Sequence, residues 1–437
     1  MERILTSELA AHAGERVRLQ GWLHRKRELS RVSFLVLRDR AGLAQIVLPT
    51  PAEGVSGSVP QARELEPVPA PDRLHDRAGR SSERLSGSEP LSLLPETVLD
   101  VEGLAVASEQ APGGVEVHEP EIRVLAEPAE PPPVELHRPE PRESLPTRLD
   151  NAPVALRHPA VRERFRLAAR AVAAFRSTLD GLGFVEIQTP KIVAFKTEGG
   201  ANVFPVDYFG RGAFLAQSPQ FYKQTMVGVF ERVFEVGPAF RAEPHETGRH
   251  LAEYVSLDAE LGFIRDHRDV IDVLRPVVSA MLEAVGQKPP AEMPIVRFED
   301  VRTGEEPDLS PEDERRICAE HGELVFVEGF PTWKRPFYTH PDPERPEWSR
   351  GFDVLYRGLE IVTGGQRLHR YEDYRAALVE RGIDETPFAS YLDAFRYGMP
   401  PHGGFALGLE RFVAQVVGVR NVRETTLFPR DRSRLLP

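Results

Sequence analysis

The sequence predicts an α+β protein, in which a small barrel of short strands precedes a larger domain that combines antiparallel strands with helices. Residues 15–50 alternate between apolar and polar side chains in the manner of short strands. Residues 157–182 place apolar side chains at helical spacing and run into a Gly-Leu-Gly stop. Residues 234–263 form an apolar run, a polar loop and an alternating run, which predicts an antiparallel hairpin. A chain of 437 residues has room for about two or three domains.

The composition excludes several classes of protein. A hydrophobic share of 41% provides a sizeable core, and the net charge of −12 argues against non-specific binding to nucleic acid while allowing a local basic patch. The single cysteine, Cys318, excludes an intramolecular disulfide, fits a reducing compartment and is expected to be a buried apolar filler. Because the N-terminus lacks a signal segment and no apolar run could span a bilayer, we expect a cytoplasmic protein.

Two Pro-rich stretches punctuate the first third of the chain. Residues 51–92 are poor in apolar side chains and cannot offset their ordering entropy by burial, so we predict a mobile or loosely packed insertion between barrel strands. Alternation returns at residues 97–108 and 113–125, which complete the barrel. Residues 126–150 are rich in Pro and Glu and predict a semi-rigid linker. The predicted domains are therefore 1–128 and 151–437, with a hinge at 129–150.

The first barrel strands carry more basic than acidic side chains. The basic ones are Arg16, Arg18, Arg25, Lys26, Arg27, Arg31, Arg38 and Arg40. A basic strand face with an aromatic ring suits single-stranded nucleic acid, because the charge attracts the backbone and the ring stacks on a base. The alternative for an aromatic such as Phe34 is an ordinary place in the barrel core.

The predicted hairpin is loaded with charge at its turning end. Five charged or ionisable side chains crowd there, namely Arg241, Glu243, His245, Arg249 and His250, and Asp258 and Glu260 stand with like parity on the returning strand. Arginines beside histidines suit a bound polyphosphate, because guanidinium pairs with phosphate oxygens in a planar fork. From these residues alone, a solvated hairpin tip explains the pattern equally well.

Three stretches together resemble the class II aminoacyl-tRNA synthetases of the aspartyl/asparaginyl subgroup (subclass b). The hairpin, with F-R-A-E, R-H-L-x-E and L-D-x-E, is similar to motif 2; GFVEIQTPKI at 183–192, with Pro190, is similar to motif 1; and GGFALGLERFV at 403–413, with Arg411, is similar to motif 3. The resemblance covers most of residues 151–437. It implies a class II catalytic domain with an antiparallel sheet flanked by helices, ATP and Mg²⁺ as cofactors, and a homodimer formed through motif 1.

The barrel resembles the OB-fold anticodon-binding domain of the same enzymes, through GW-x-x-x-R followed by F-x-x-x-RD-x-x-G-x-x-Q. The resemblance implies that Phe34 stacks on an anticodon base and that Gln45 hydrogen-bonds to one, with Arg27 beside them. His24 and Pro112 match positions that influence how strictly the last anticodon base is read. Both resemble relaxed forms that accept tRNA-Asp and tRNA-Asn, and aspartyl-tRNA-Asn would then need a tRNA-dependent amidotransferase as a further partner.

The resemblance also assigns the nucleotide site. The implied ATP-binding residues are Arg241, Glu243, Arg249, His250, Leu251, Glu360, Gly408 and Arg411. Arg241, Arg411 and His250 are the implied catalytic residues, with Arg241 on the α-phosphate and Arg411 on the γ-phosphate side. Glu360 and Thr363 offer hard oxygen ligands for Mg²⁺. His245 or His250 could assist proton movement.

The implied aspartate-binding residues are Glu198, Gln217, Ser218, Gln220, Lys223, Asp258, Thr363 and Arg367. Glu198 lies on a Gly-rich loop expected to close over the amino acid and face its ammonium group. Lys223 and Arg367 are expected to grip the side-chain carboxylate, since a guanidinium fork and an ammonium leave donors mismatched against an amide. Without the resemblance, Lys223 reads as a solvent-facing helix lysine.

The predicted function is ATP-dependent ligation of aspartate to tRNA, with relaxed choice between tRNA-Asp and tRNA-Asn. Asp258 and the P-H-E-T-G-R-H loop favour aspartate over asparagine, and the short interval between motifs 2 and 3 favours the compact archaeal/eukaryotic type. The alternatives are an enzyme restricted to tRNA-Asp, an asparaginyl-tRNA synthetase, and a paralogue that makes asparagine without tRNA. A catalytically silent tRNA-binding relative is also open, although it would be expected to lack Arg241 or Arg411.

Overall fold

The computed structural model describes residues 1–29, 32–49, 84–85, 93–196, 203–244 and 246–436. They fall into two units, Met1–Glu143 and Ser144–Pro437. The division lies inside the predicted hinge 129–150, and the limits of the predicted domains stay a prediction. The predicted insertion 51–92 lies outside the described residues except for 84–85, and Arg31, Glu198 and His245 lie outside them as well.

The first unit is a barrel. Its strands are β1 (Arg16–Leu29), β2 (Val32–Arg38), β3 (Leu43–Pro49), β4 (Arg84–Leu85), β5 (Val98–Ala107) and β6 (Val115–Ala126). They follow the order β3-β2-β1-β5-β6-β4, and a parallel pairing of β3 with β6 closes the sheet on itself. Alternate side chains such as Leu19, Leu35 and Val101 fill the interior. The predicted N-terminal barrel is therefore confirmed.

The second unit is built on an eight-stranded sheet with the order β13-β14-β15-β16-β17-β12-β11-β7. Its strands are β7 (Val185–Glu186), β11 (Arg232–Phe240), β12 (Glu253–Gly262), β13 (Ile295–Arg297), β14 (Leu324–Glu328), β15 (Gly351–Tyr356), β16 (Leu359–Gln366) and β17 (His402–Gly408). Only the end pairs β13–β14 and β11–β7 are parallel among these neighbours. A smaller sheet holds β8 (Ile192–Val193), β9 (Pro205–Tyr208) and β10 (Arg211–Leu215).

Helices flank the large sheet. They are α1 (Leu145–Asp150), α2 (Ala152–Ala155), α3 (Pro159–Gly181), α4 (Gln220–Phe230), α5 (His267–Ala284), α6 (Phe298–Val301), α7 (Pro311–His321), α8 (Tyr371–Glu380), α9 (Ala389–Arg396) and α10 (Leu409–Val417). Phe175 of α3 and Leu274 of α5 pack in one core with Phe405 of β17. The helix predicted at 157–182 is α3, which begins at Pro159 because proline suits the first helical position and His158 caps the next amide. The predicted α+β fold is confirmed.

The topology brings distant segments together. The predicted hairpin is β11–β12, paired from Arg232–Leu261 to Phe240–Glu253. β12 also pairs with β17, and β17 with β16, so three parts of the chain form neighbouring strands. α10 starts directly where β17 ends.

Two smaller findings concern the expectations from composition. Cys318 is partly buried beside a cluster that includes Phe298 and Ile317, and burial raises the pKa of its thiol. Across the described ranges, the search for a helix with the length and apolar character needed to cross a membrane finds none.

Candidate active site

A cavity of about 200 Å³ opens above the central strands of the second unit. Its walls come from the loop after β11, from β12, from β16 and from the junction of β17 and α10. The residues of the predicted ATP site that line it are Arg241, Glu243, Arg249, His250, Leu251, Glu360, Gly408 and Arg411. The structure therefore places all eight of the residues assigned to ATP in one cavity.

Two contacts hold the rear wall of this cavity in place. Arg411, in the first turn of α10, donates from Nη1 to the carbonyl oxygen of Glu360 at 3.1 Å. Its neighbour Glu410 is buried and accepts the backbone N–H of Val255 at 3.0 Å, which ties α10 to β12. Burial raises the pKa of Glu410 to about 7. The strand-to-helix junction is thus fixed against both neighbouring strands.

His250 lines the cavity, and its surroundings disfavour the protonated imidazole. Its Nδ1 atom lies 2.6 Å from the hydroxyl of Thr247. Burial lowers its pKa, and the positive charges of Arg411 and Arg249 lower it further. A neutral ring can hydrogen-bond to a phosphate or relay a proton, but it adds little charge of its own.

A second cavity of about 220 Å³ adjoins the first. The two share the lining residues Arg241, Tyr254, Ser256, Thr363 and Ala406. Among the residues predicted to bind aspartate, Ser218, Gln220, Asp258, Thr363 and Arg367 line it. Gln217 and Lys223 are buried but are not among its lining residues, and Glu198 lies outside the described part of the chain.

A buried cluster of four charges lies against the second cavity, which two of its members, Asp258 and Arg367, line. Lys223 Nζ lies 2.9 Å from Asp258 Oδ1 and 3.4 Å from Glu260 Oε2. Arg367 donates from Nε to Glu260 Oε1 at 2.9 Å and from Nη2 to the carbonyl oxygen of Gly404 at 3.0 Å. Lys223 is 1% exposed, so the alternative of a solvent-facing helix lysine is wrong.

Gly404, which has no side chain, leaves the space that the Glu260 carboxylate of this cluster occupies. A Cβ atom at position 404 would lie 2.1 Å from the carbonyl oxygen of Ala259 and 2.2 Å from Glu260 Oε2. Burial by itself would raise the pKa of Glu260, but Arg367 and Lys223 lower it, so the carboxylate stays charged. Both cations that were expected to hold a ligand carboxylate therefore already have protein carboxylates as partners.

Two charged residues outside the family motifs, Arg335 and Asp353, lie beside Thr363, which lines both cavities. Arg335 donates from Nη2 to Asp353 Oδ2 at 2.8 Å and from Nη1 to the hydroxyl of Thr363 at 3.2 Å. Burial and the nearby charge of Glu360 raise the pKa of Asp353 to about 6, although Arg335 opposes the rise. A β-hairpin with its tight turn at Gly358 places Asp353 opposite Thr363. That register could have identified Asp353 as a site residue from the sequence.

The oxygen atoms around Thr363 bear on the predicted metal site. Within the described ranges, no group of three His, Cys, Asp or Glu side chains could hold a metal ion. Yet Asp353 Oδ1 is buried close to the hydroxyl of Thr363 and to the carboxylate of Glu360. Two carboxylates and a hydroxyl in this arrangement fit a hard divalent cation that takes its remaining ligands from a phosphate substrate and water.

The residues predicted to read an anticodon lie in the barrel. Phe34 on β2 stands opposite Arg27 of β1 and Val47 of β3, so the three side chains share one partly exposed face. Phe34 is not part of the barrel's core cluster. This row of a cation, a ring and an apolar side chain is the pattern that suits a single-stranded base.

The other three barrel positions differ in exposure. His24 is buried at a bulge in β1, with Nδ1 3.3 Å from Arg38 Nη1. Gln45 is also buried, and its Nε2 donates to Glu116 Oε2 at 2.8 Å. Pro112 is exposed and begins a single 3-10 turn, Pro112–Gly114.

Comparison with known proteins gives a consistent picture. Residues 144–432 match the family model described as tRNA synthetases class II (D, K and N). The chain is 41% identical to the aspartate–tRNA(Asp/Asn) ligase of Thermus thermophilus over 100% of both chains. It is 40% identical to the aspartate–tRNA(Asp/Asn) ligase of Deinococcus radiodurans, covering 100% of this chain and 99% of that one. The asparaginyl-tRNA synthetase of Pyrococcus horikoshii, solved with asparaginyl-adenylate, superposes with a TM-score of 0.85 at 28% identity over 100% of both chains.

Proposed function

This chain belongs to the class II tRNA synthetases, and on that premise we propose that it ligates L-aspartate to tRNA through aspartyl-adenylate and charges both tRNA-Asp and tRNA-Asn. The observation that carries the proposal is the pair of cavities that share Arg241. One is lined by arginines and a histidine, as a polyphosphate requires, and the other ends on a buried cluster of charges. A nucleotide and an amino acid bound side by side would meet at Arg241.

In the first step, an oxygen of the aspartate α-carboxylate attacks the α-phosphorus of ATP in line. The bond between that phosphorus and the pyrophosphate oxygen breaks, which gives aspartyl-adenylate and pyrophosphate. Arg241 would hold the α-phosphate and stabilise the negative charge that grows on it. Arg249, His250 and Arg411 orient the β- and γ-phosphates, so that the leaving group lies opposite the attacking oxygen.

In the second step, the terminal ribose hydroxyl of tRNA attacks the carbonyl carbon of the adenylate, and AMP leaves. Positioning and electrostatic stabilisation supply the rate in both steps, and the reaction needs no covalent bond to the enzyme. His250, as a neutral ring, can accept or pass on a proton at its free nitrogen when the hydroxyl reacts.

Glu360 and Thr363, joined by Asp353, would hold Mg²⁺ beside the phosphates. When bound, Mg²⁺ neutralises phosphate charge as a Lewis acid. Arg335 contributes by holding Asp353 and Thr363 in position with two hydrogen bonds from one guanidinium group. The buried and repelled carboxylate of Asp353 supports this assignment, because a cation would relieve the cost of its charge.

The side-chain carboxylate of aspartate is recognised by Arg367, with Lys223 supplying positive charge from within the buried cluster. Arg367 donates from Nε to Glu260 and from Nη2 to the carbonyl oxygen of Gly404, so Nη1 is the atom proposed to meet the ligand carboxylate. An asparagine amide would place an N–H group against these donors, at a cost of about 1–3 kcal/mol. Glu198, Gln217, Ser218 and Gln220 are proposed to hold the amino and carboxyl groups of the substrate.

The exposed face of α3 supports a homodimer formed with the motif 1 segment. A groove along this helix has a floor of small apolar side chains with Phe234 and Leu409, and polar side chains also line it, namely Arg176, Ser177, Asp180 and Glu186. The small residues are Ala168, Ala169, Val172 and Ala173. Light scattering tests the proposal, with Val172→Arg expected to give a monomer.

Aminoacylation with labelled aspartate, using separate tRNA-Asp and tRNA-Asn transcripts, tests the proposed function. Charging of both is expected, and aspartyl-tRNA-Asn would then require a tRNA-dependent amidotransferase. Charging of tRNA-Asp alone would overturn the relaxed choice of tRNA and the roles of His24 and Pro112. Charging of asparagine, or formation of asparagine without tRNA, would overturn the roles of Asp258, Lys223 and Arg367.

A further inference from the structure

Glu314 lies on α7, in a segment where the sequence carries no motif of the family. We propose that Glu314 is a positioning residue for ATP, which holds Arg249 of the motif 2 loop ready for the β- and γ-phosphates. The inference rests on the proposed function for its premise that Arg249 contacts the triphosphate.

Glu314 connects two walls of the nucleotide cavity. Arg249 donates from Nη2 to Glu314 Oε2, and the backbone N–H of Glu360, at the start of β16, lies close enough to the Glu314 carboxylate to lower its pKa. The Glu314 side chain is only 7% exposed, whereas that of Arg249 is 29% exposed and lines the cavity. One buried carboxylate therefore anchors a partly exposed arginine of the loop to the central sheet.

The helix that carries Glu314 is itself fixed. Ser310 caps α7 in a capping box with Asp313, and Ile317 is buried against Phe298. The turn between β15 and β16 fits tightly under the helix, because a Cβ at Gly358 would lie 2.9 Å from Arg315 Cγ and 3.1 Å from its Cα. Only glycine permits that approach, and its φ of +80° also favours glycine. The turn that leads into β16 is therefore packed directly against the helix that carries Glu314.

The charges around Glu314 indicate that its carboxylate holds Arg249 in place for ATP and does not withdraw it from the cavity. Arg249 and Arg411 both lie close enough to Glu314 to oppose the rise that burial causes in its pKa. These three side chains carry a net charge of +1, so Glu314 offsets only part of the positive charge that the two arginines present to phosphate. A guanidinium has five N–H donors, and one that serves Glu314 leaves others for a phosphate oxygen.

The opposite role is inhibitory, in which Glu314 competes with ATP for Arg249. The two roles predict opposite changes in ATP affinity when Glu314 is removed. If Glu314 positions Arg249, its removal leaves a long side chain that ATP must order, and ATP binding weakens. If Glu314 locks Arg249, its removal frees the guanidinium, and ATP binding tightens.

The test compares Glu314→Ala and Glu314→Gln with the control Glu312→Ala, a residue on the same helix whose side chain is 79% exposed. ATP–pyrophosphate exchange gives KM for ATP and kcat, and equilibrium titration gives the affinity for AMP. We expect Glu314→Ala to raise KM for ATP about tenfold, with kcat within about twofold. Glu314→Gln keeps one acceptor oxygen and is expected to fall between it and the wild type. AMP affinity and the control are expected to be unchanged, since Arg249 serves only the outer phosphates.

The variant Arg249→Ala tests the role of Arg249 in ATP binding separately from the positioning role of Glu314. If Arg249→Ala leaves KM for ATP unchanged, the role of Arg249 in the proposed function fails and the inference fails with it. If Arg249→Ala raises KM but Glu314→Ala does not, or lowers it, the inference alone is overturned. An equal loss of AMP and ATP affinity in Glu314→Ala would also overturn it, because that pattern marks general damage. Should Glu314→Ala not fold, Glu314→Asp carries the same test, since it retracts the carboxylate by one methylene.

Discussion

Arg367 and Glu260 form an ion pair in the interior of the second unit, with Nε and Oε1 2.9 Å apart. Arg367 is the member that lines the amino-acid cavity, and Glu260 is also 3.4 Å from Lys223. The carboxylate thus orients both cations that are proposed to recognise aspartate. Breaking such a pair on one side leaves buried charge without compensation, which is the physical basis of the first prediction.

Glu260→Gln is expected to raise KM for aspartate at least about tenfold and to lower the free energy of unfolding by about 3–5 kcal/mol. KM for ATP should change little, because Glu260 does not line the nucleotide cavity. Pyrophosphate exchange at varied aspartate and chemical denaturation measure the two effects. Glu253→Gln, at an exposed position on the same strand, is the matched control. An unaltered KM for aspartate would contradict the role of Glu260.

Arg241→Ala is expected to reduce adenylate formation by at least about 100-fold, because removal of a donor aimed at developing charge costs that much in comparable sites. The melting temperature should stay near the wild-type value, since Arg241 lies in a loop beyond the end of β11. Arg265→Ala removes an exposed arginine that pairs with Asp269 and serves as the control. Near-normal pyrophosphate exchange in Arg241→Ala would exclude the proposed role.

Glu410 predicts a pH dependence of stability. Its pKa is raised from 4.5 to about 7 in the folded chain, so folding favours the protonated form. As the pH rises, the unfolded state releases this proton at a lower pH than the folded state does. The contribution of Glu410 to the free energy of unfolding is therefore full below pH 4.5 and is lost as the pH rises towards 7. The loss amounts to about 3 kcal/mol.

Glu410→Gln tests this directly, because glutamine can still accept the Val255 N–H but does not titrate. The difference in the free energy of unfolding between the variant and the wild type should move in favour of the variant between pH 4.5 and 7. Denaturant titrations at several pH values measure it. A difference that is constant across this range would show that Glu410 titrates normally.

Phe34→Ala is expected to raise KM for tRNA at least about fivefold, as loss of one stacked base would. ATP–pyrophosphate exchange without tRNA should be unchanged, since the residues proposed to bind ATP and aspartate all lie in the second unit. Phe34→Tyr keeps the ring and is expected to retain the wild-type KM. An equal fall in the exchange reaction would instead point to loss of fold.

Local patterns in the sequence were sufficient to predict much of the fold and the residues that line the nucleotide cavity. The hairpin could be predicted because strand alternation and a polar loop are properties of neighbouring residues. Seven of the eight residues assigned to ATP come from motifs 2 and 3, and Glu360 comes from β16. Each of these segments is contiguous in sequence, and their convergence in one cavity followed from the resemblance. The barrel likewise follows from short alternating strands.

Only the tertiary structure decided which charges are paired. Lys223 reads as an ordinary helix lysine until α4 packs against β12 and places its ammonium beside Asp258. Arg335 and Asp353, and Arg249 and Glu314, are joined across 18 and 65 residues of sequence. Side-chain charge is visible in a sequence, but burial and partnership depend on which strands become neighbours. By itself the sequence determined the elements and their motifs; the electrostatics of the site arose from the packing that brings those elements together.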